Sequence, residues 1–404
     1  MVRKWAVHTR PTPFAAPAMT PDETEIDPSQ LGPRMAALPA LGRLRELAAQ
    51  SPLYLAGGAV RDLLLGRERL DLDVVVQGDA VALASRLDPR PRTHERFGTA
   101  TVRLDGLTVD LAAARSEAYA QPGALPEVRS AGLAEDLGRR DFTINSMVVP
   151  LVGEPDLIDP YGGLADLRDR VLRVLHESSF VDDPTRALRA ARYAARFGLA
   201  PSARTGALLR AADLASVSAE RVEAELRRLA LEPDLLAAMR LLVDWALVEA
   251  DLELAAAALE VLRAPAWRTE SGRADAFLAG ARPRAAGYAF PAEAQRAARE
   301  LAREHPERPS AGERAARGRS GLVLVLARAM GAQWLDDYVA TWRDVRLELG
   351  GADLIDAGIE QGPAVGRGLE AALAAKLDGE IHGRDEELSL ALDVAGGARP
   401  EAGA

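Results

Sequence analysis

The stretch YLAGGAVRDLLLGRERLDLDVVV, residues 54–76, carries two carboxylates at alternate positions, Asp71 and Asp73, a short way beyond the diglycine Gly57-Gly58. In a strand, residues i and i+2 project from one face, so these carboxylates stand side by side. Held that close they repel unless a positive charge sits between them. A divalent ion supplies it, and an all-oxygen ligand set suits Mg²⁺. The glycines offer the other half of a reactive site. A backbone without Cβ lets a phosphate come close, and the first N–H groups of the helix that follows can donate to an anion. Arg61 on that helix adds a guanidinium for the same phosphates. A metal pair beside a phosphate cradle is the arrangement used for phosphoryl and nucleotidyl transfer. A D-x-D pair alone is also what a solvated turn carries; the diglycine is what weights the reading towards chemistry.

Other stretches add candidates. Asp110, in LTVDLAAAR, either ends an ordinary strand or, if that strand lies beside the D-x-D strand, brings a third carboxylate. In GLAEDLGRRDFTINSMVV, Arg139, Arg140 and Asp141 precede a helix start, with Asn145 four residues on along the same helical face. That is either a salt-bridged helix end or a triphosphate or ribose contact. In FVDDPTRALRAARYAARFGL, Pro184 fits a first helical turn capped by Asp182 or Asp183. Asp183 and Arg186 share a face that Arg189, Arg192 and Arg196 continue. Such a ladder is a solvated face, a phosphate strip or, through Asp183 and Arg186, a planar set of acceptors and donors able to read a base edge. Spacing does not choose among these. In SAERVEAELRRL, Ser218, Arg221 and Glu225 read as a capped helix with i,i+4 pairing, a structural role. Asp159 and Gly162-Gly163 read as a turn, and as a hinge where the composition shifts. No G-x-x-x-x-G-K-[ST] motif and no His-Asp dipeptide occurs.

These groups need elements to hold them. The apolar run Leu53–Ala56 predicts a strand, Ala59–Leu65 a helix closed by Gly66, and Asp71–Val76 a buried strand rich in valine. A helix is predicted over Ala80–Leu87, and a hairpin over TATVRLDGLTVDLAAAR with Asp105-Gly106 at its turn. Beyond Leu164, Ala, Leu, Arg and Glu recur at helical spacing, and strand signals nearly vanish apart from RVLRVL.

At 404 residues the chain can bury a large core in two to four modules. It contains no cysteine, which excludes disulfides, thiolate-bound zinc, iron–sulfur clusters and thiol catalysis. No apolar run reaches membrane-spanning length. The proline-rich start lacks a secretory pattern and reads as a disordered lead-in, so the cytoplasm is the expected location. A net charge of −10 argues mildly against a nucleic-acid partner, but binding depends on where charge sits.

Taken in order, LAGGAVRDLLLG…DLD, RRDFTIN, DPYGGLADL, DDPTRALRAARYAARFG and ERVEAEL resemble the motif series of the bacterial tRNA nucleotidyltransferase and poly(A) polymerase family, of the polymerase-β-like superfamily. The resemblance covers Leu53 to Leu229, with a tail-like segment from Gly350. It implies an α+β fold: a small mixed-sheet nucleotidyltransferase head followed by an all-α neck, body and tail. The expected divisions are a lead-in over 1–40, the head over 41–165, a neck over 166–231, a body over 232–348 and a tRNA-binding tail over 349–404. By the same resemblance Asp71 and Asp73 would hold Mg²⁺ as catalytic ligands, with Asp110 beside them. Gly57, Gly58 and Arg61 would hold the triphosphate, and Arg140, Arg189 and Arg192 would border the nucleotide. Asp183 and Arg186 would act as a protein template for the base of CTP or ATP. One position departs: the family template reads Glu-Asp-x-x-Arg, and its first place is Asp182 here. The implied partners are tRNA and ATP and/or CTP, with no membrane and no obligate protein partner. A poly(A) polymerase is the alternative enzyme. An inactive RNA-binding relative is the non-enzyme alternative, against which the intact Asp71 and Asp73 count. The segment 112–138 corresponds to the region whose flexible loop helps switch the family from CTP to ATP. It is retained here, with Pro122, Gly123 and Pro126 marking a bend, and looks more like the A-adding branch. The expectation is terminal A addition, ahead of full CCA addition, with CC-only addition last.

Overall fold

The structure is a computed structural model that describes residues 26–38, 40–48, 51–67, 71–283, 285, 287–288 and 291–397. Its described residues fall into two compact units, one running to Glu249 and including Arg282–Tyr288, the other made of Ala250–Ala281 and the chain beyond residue 288. The expected lead-in lies outside the described residues over 1–25; after that a 3₁₀ turn and helix α1 (Leu31–Ala36) already carry the fully buried Leu31 and Met35. Head and neck, read as separate segments, fall in the one first unit.

The first unit is built on a six-stranded mixed sheet. Its strands are β1 (Leu53–Ala56), β2 (Leu72–Val76), β3 (Arg92–His94), β4 (Thr99–Leu104), β5 (Leu107–Ala113) and, after the side hairpin β6 (Arg115–Ala118) and β7 (Glu127–Ser130), β8 (Val148–Pro150). The spatial order is β3-β4-β5-β2-β1-β8. Among the described pairings of this sheet, β2 with β5 is the parallel one and the rest are antiparallel. The β4–β5 turn falls at Asp105-Gly106 as predicted, with positive φ at both residues, the geometry that suits strand twist. The valines of β2 are buried, as β-branched residues in a central strand should be.

Helices α2 (Ala40–Ala48), α3 (Gly58–Leu64), α4 (Ala80–Leu87), α5 (Leu133–Gly138) and α6 (Gly163–Arg168) accompany the sheet. Five further helices complete the first unit: α7 (Ser179–Asp182), α8 (Thr185–Phe197), α9 (Ala203–Ala211), α10 (Ala219–Leu229) and α11 (Leu235–Asp244), the last beyond the expected end of the neck at 231. The strand signal in RVLRVL is the two-residue β9 (Val171–Leu172), paired with β10 (Ala200–Pro201). At the expected hinge, the Asp159 carboxylate accepts from the N–H groups of Gly163 at 2.7 Å and Leu164 at 2.9 Å. A Cβ on Gly163 would lie 2.2 Å from the Thr143 carbonyl. Asp159 and Gly163 thus form a tightly packed, capped corner in place of a hinge.

The second unit is helical: α12 (Leu252–Val261), α13 (Arg273–Leu278), α14 (Ala292–Leu301), α15 (Pro309–Ala316), α16 (Gly321–Ala329), α17 (Leu335–Ala340), α18 (Gly351–Asp356), α19 (Pro363–Leu377) and α20 (Gly383–Gly396). One apolar core gathers Trp267, Leu324, Leu326 and Leu335, and a smaller one Leu354, Val365, Ala372 and Ala391. Inside the latter region, buried Glu387 accepts from Lys376 Nζ at 2.6 Å and from the Glu348 N–H at 2.7 Å. Among the described residues no helix is long and apolar enough to cross a membrane.

Candidate active site

A cleft of about 810 Å³ opens in the first unit. Gly57, Gly58, Arg61, Asp71, Asp73, Asp110, Arg140, Asp183, Arg186, Arg189 and Arg192 all line it. Residues more than 130 positions apart in the chain are therefore brought around one space.

The carboxylates sit on the central strands. Parallel pairing places Asp73 opposite Asp110, and antiparallel pairing places Thr101 opposite Asp110. Thr101 Oγ1 donates to Asp110 Oδ1 at 2.5 Å, and Asp71 lies immediately before β2. Like charges directly opposite on neighbouring strands destabilise a sheet. The cost shows at Asp73: burial, the Asp110 charge and the Asp71 charge push its carboxyl up to about 6, against the pull of Arg140 and Arg61. This is an oxygen-donor set short of positive charge. Among the described residues no three His, Cys, Asp or Glu side chains form a ready-made metal cage. Mg²⁺ fits such a site, because it is commonly held by one or two carboxylates, with water and substrate phosphates completing its shell.

The diglycine borders the same carboxylate. Gly57 has φ +60° and ψ −122°, and a Cβ there would lie 2.8 Å from Arg140 Nη1. A Cβ on Gly58 would come within 3.6 Å of Asp73 Oδ2. Gly57 needs glycine for its left-handed φ and its close approach to the arginine, whereas at Gly58 a Cβ would make only ordinary contacts. Helix α3 begins one residue earlier than predicted and is followed by Gly66 at φ +69°. Arg61 is buried: its Nε donates to Asp62 Oδ1 at 2.9 Å, its Nη1 to Asn145 Oδ1 at 2.5 Å, and it lies 4.3 Å from the Phe197 ring centroid.

The arginine pair is held from behind by a residue that spacing did not single out. Asp136, fully buried on α5, accepts from Arg139 through Oδ1 at 2.6 Å and from Arg140 through Oδ2 at 2.9 Å. Burial would raise its pKa, but Arg140 and Arg139 outweigh it and hold the carboxyl below its usual range. Arg140 Nη1 also donates to the Asn145 carbonyl at 3.0 Å. The helix expected after Asp141 is instead a 3₁₀ turn, Thr143–Asn145; the turn still lets Asn145 Nδ2 donate to Asp141 Oδ1 at 2.9 Å.

Helix α8 begins after Pro184, which is itself the N-cap in place of Asp182 or Asp183, and Asp183 Oδ1 accepts from the Thr185 N–H at 3.1 Å. Its arginine ladder is neither a solvated face nor a bare phosphate strip. Arg189 Nε donates to Asp141 Oδ2 at 2.9 Å, Arg192 pairs with Glu225 and Glu232 at 3.0 Å each, and Arg196 pairs with Glu232 at 2.6 Å. Arg186 is buried, donating to Ser179 Oγ at 2.9 Å and the Arg139 carbonyl at 2.8 Å. The i,i+4 pair expected between Arg221 and Glu225 does not form. Glu225 turns to Arg192 and Arg228, while Arg221 reaches Asp183 at 2.9 Å. Glu117, Tyr119 and Arg115 also line the cleft, unmarked by any motif; the Tyr119 hydroxyl donates to Glu117 at 2.9 Å. Among the described residues every cation in the lining is a guanidinium, eight arginines facing eight Asp and Glu residues.

This sheet, with its carboxylate row and diglycine, defines a nucleotidyltransferase-type head: residues 53–173 match the model of the poly(A) polymerase head domain. The chain belongs to the tRNA nucleotidyltransferase and poly(A) polymerase family. It is 36% identical over 381 residues to a CC-adding tRNA nucleotidyltransferase of Deinococcus radiodurans, covering 89% of this chain and 93% of that protein. It is 42% identical over 212 residues to an A-adding tRNA nucleotidyltransferase of Halalkalibacterium halodurans, covering 49% of this chain and 50% of the relative. The chain spans about half or less of the length of the A-adding relatives it matches. The structure of a Thermotoga maritima CCA-adding enzyme complexed with tRNA superposes with a TM-score of 0.64 at 28% identity, over 91% of this chain and 96% of that one.

Proposed function

We propose that this protein adds nucleotides to the 3′ end of tRNA without a nucleic-acid template, taking ATP and/or CTP. The observation that carries the reading is the row Thr101–Asp110–Asp73 facing the cleft that Asp183 and Arg186 also line. In the reaction the tRNA 3′-hydroxyl oxygen bonds to the α-phosphorus, the bond to the β-phosphate bridging oxygen breaks, and pyrophosphate and the hydroxyl proton leave. Asp71 and Asp73 would hold Mg²⁺, which when bound acidifies the hydroxyl and balances phosphate charge. Asp110 adds negative potential beside Asp73, and Thr101 fixes its carboxylate. Gly57 and Gly58 leave room for the triphosphate against Arg140, while Arg61 braces Asn145 beneath it. Arg189 and Arg192, anchored by Asp141 and Glu225, border the nucleotide. Asp183 and Arg186 present the acceptor and donor edge that reads the base, with Asp182 beside Asp183 at the place of the family glutamate.

Terminal A addition is the reading that the retained segment 119–126 and the A-adding relatives of this half support. Addition of CC is the second reading, favoured by the near full-length match to the Deinococcus protein. The test uses tRNA ending in CC and tRNA lacking all three nucleotides, each with Mg²⁺ and labelled ATP or CTP, the products sized. Adenosine added once to the first substrate supports the first reading. CTP incorporated twice on the second substrate, stopping without A, overturns it in favour of CC addition. Long adenosine runs on either would mark a poly(A) polymerase.

A further inference from the structure

We infer that Arg221 is a specificity-determining positioning residue, which fixes the Asp183 carboxylate so that one chosen oxygen meets the incoming base. The inference rests on the nucleotide-adding function proposed above and assigns a residue that the motif reading had given a structural role.

Arg221 Nη2 donates to Asp183 Oδ1 at 2.9 Å, and its Nη1 donates to the Gly123 carbonyl at 2.7 Å. The same Oδ1 accepts from the Thr185 N–H at 3.1 Å and from Thr185 Oγ1 at 2.6 Å. Three donors therefore converge on one oxygen, and no described residue donates to Oδ2. A carboxylate with four lone-pair sites keeps its acceptor capacity on the oxygen left bare. Without Arg221 the carboxylate is left to the two donors of Thr185 and loses its one charged donor, the one that ties it to the Gly123 carbonyl.

The far anchor is firm. Gly123 has φ +71°, its N–H donates to the Val181 carbonyl at 3.3 Å, and a Cβ there would lie 2.3 Å from the Ser216 carbonyl. Arg221 thus spans from a pinned backbone carbonyl to a side chain of the cleft. A planar guanidinium can hold both at once in fixed geometry, whereas an ammonium is a single point charge on a flexible stem. Arg186 is immobilised separately, on Ser179 and the Arg139 carbonyl, and makes no pair with Asp183. The acceptor and the donor that would read a base are therefore set by different neighbours, and Arg221 controls the acceptor alone.

The experiment compares wild type with Arg221→Ala and Arg221→Lys, measuring kcat/KM for ATP and for CTP on tRNA, KM for tRNA, and the melting temperature. The expected result for Arg221→Ala is a loss of at least tenfold in discrimination between the two nucleotides, with KM for tRNA unchanged. Arg221→Lys, keeping one anchor, falls between. Equal loss for both nucleotides, or unchanged discrimination in both variants, overturns the inference. If the alanine variant fails to fold, the lysine variant decides on the same criterion. A wild-type protein that adds no nucleotide to any tRNA overturns the parent function, and this role with it; a wild type that adds nucleotides confines any failure to Arg221.

Discussion

Asp73 is charged at the expense of the fold. Its folded-state carboxyl sits at about 6 because burial, Asp110 and Asp71 all disfavour the anion. A group with a raised folded pKa stabilises the fold fully below its unfolded value of about 3.8, and that contribution is lost as pH rises through 6. At neutral pH, without metal, the carboxylate therefore works against folding, by an amount on the order of 1–3 kcal/mol. Asp73→Asn should raise the melting temperature at pH 7.5 in chelator and abolish nucleotide addition, measured by thermal denaturation and by labelled ATP and CTP incorporation. An equal melting temperature at pH 7.5 and pH 4.5 in wild type would remove the electrostatic penalty on which this expectation rests. The pairing of Asp71 and Asp73 was legible in sequence because period-2 spacing is local. The third carboxylate was legible only as an alternative, since nothing in LTVDLAAAR says which strand lies beside it. Parallel pairing with β2 supplied that answer.

At the level of elements, one short helix orients two arginines. Asp136 on α5 splits its two oxygens between Arg139 and Arg140, and Arg140 in turn reaches under Gly57. Removing one partner of a buried ion pair costs about 3–5 kcal/mol because charge is left uncompensated. Asp136→Ala should destabilise the first unit by that order and reduce nucleotide addition, while Asp136→Asn, which keeps the packing, should lose less. The Asp136 carboxyl is depressed, so its stabilisation is present above the unfolded value near 3.8 and is lost as pH falls through the lower folded value. Acid titration followed by circular dichroism should show wild type losing stability below about pH 4 and Asp136→Asn showing a flatter response there. Helix periods and turn chemistry made α4 and the β4–β5 hairpin readable in advance. They could not show that the α8 arginines face acids, because Glu225 and Glu232 lie 33 or more positions from Arg192. The same distance hid Arg221, whose i+4 acid, Glu225, is not its partner.

Over the whole molecule the formal charge is −10, yet the cleft is balanced, with as many arginines as acids in its lining. Bulk charge therefore said little about function, because the partner meets the cleft and not the sum. Each cleft arginine named above already has a protein anchor. The shape that would receive a triphosphate is thus set before any ligand arrives, which lowers the ordering cost of binding.

The all-guanidinium lining also decides which reagents can silence the protein. The chain has only two lysines, Lys4 and Lys376, and Lys376 does not border the cleft. Lys376 is on α19 of the second unit, paired with the buried Glu387. Acylation at Lys376 should therefore leave the cleft guanidiniums unmodified, its effect being confined to the Glu387 pair in the second unit. Arginine-directed dicarbonyls such as phenylglyoxal should inactivate it, and bound ATP or CTP should protect. Incorporation assays after each treatment, with the modified residues mapped by mass spectrometry, check this; inactivation by acylation at Lys376 alone would contradict it. The same chemistry lets amine coupling through Lys376 spare every arginine named in the cleft.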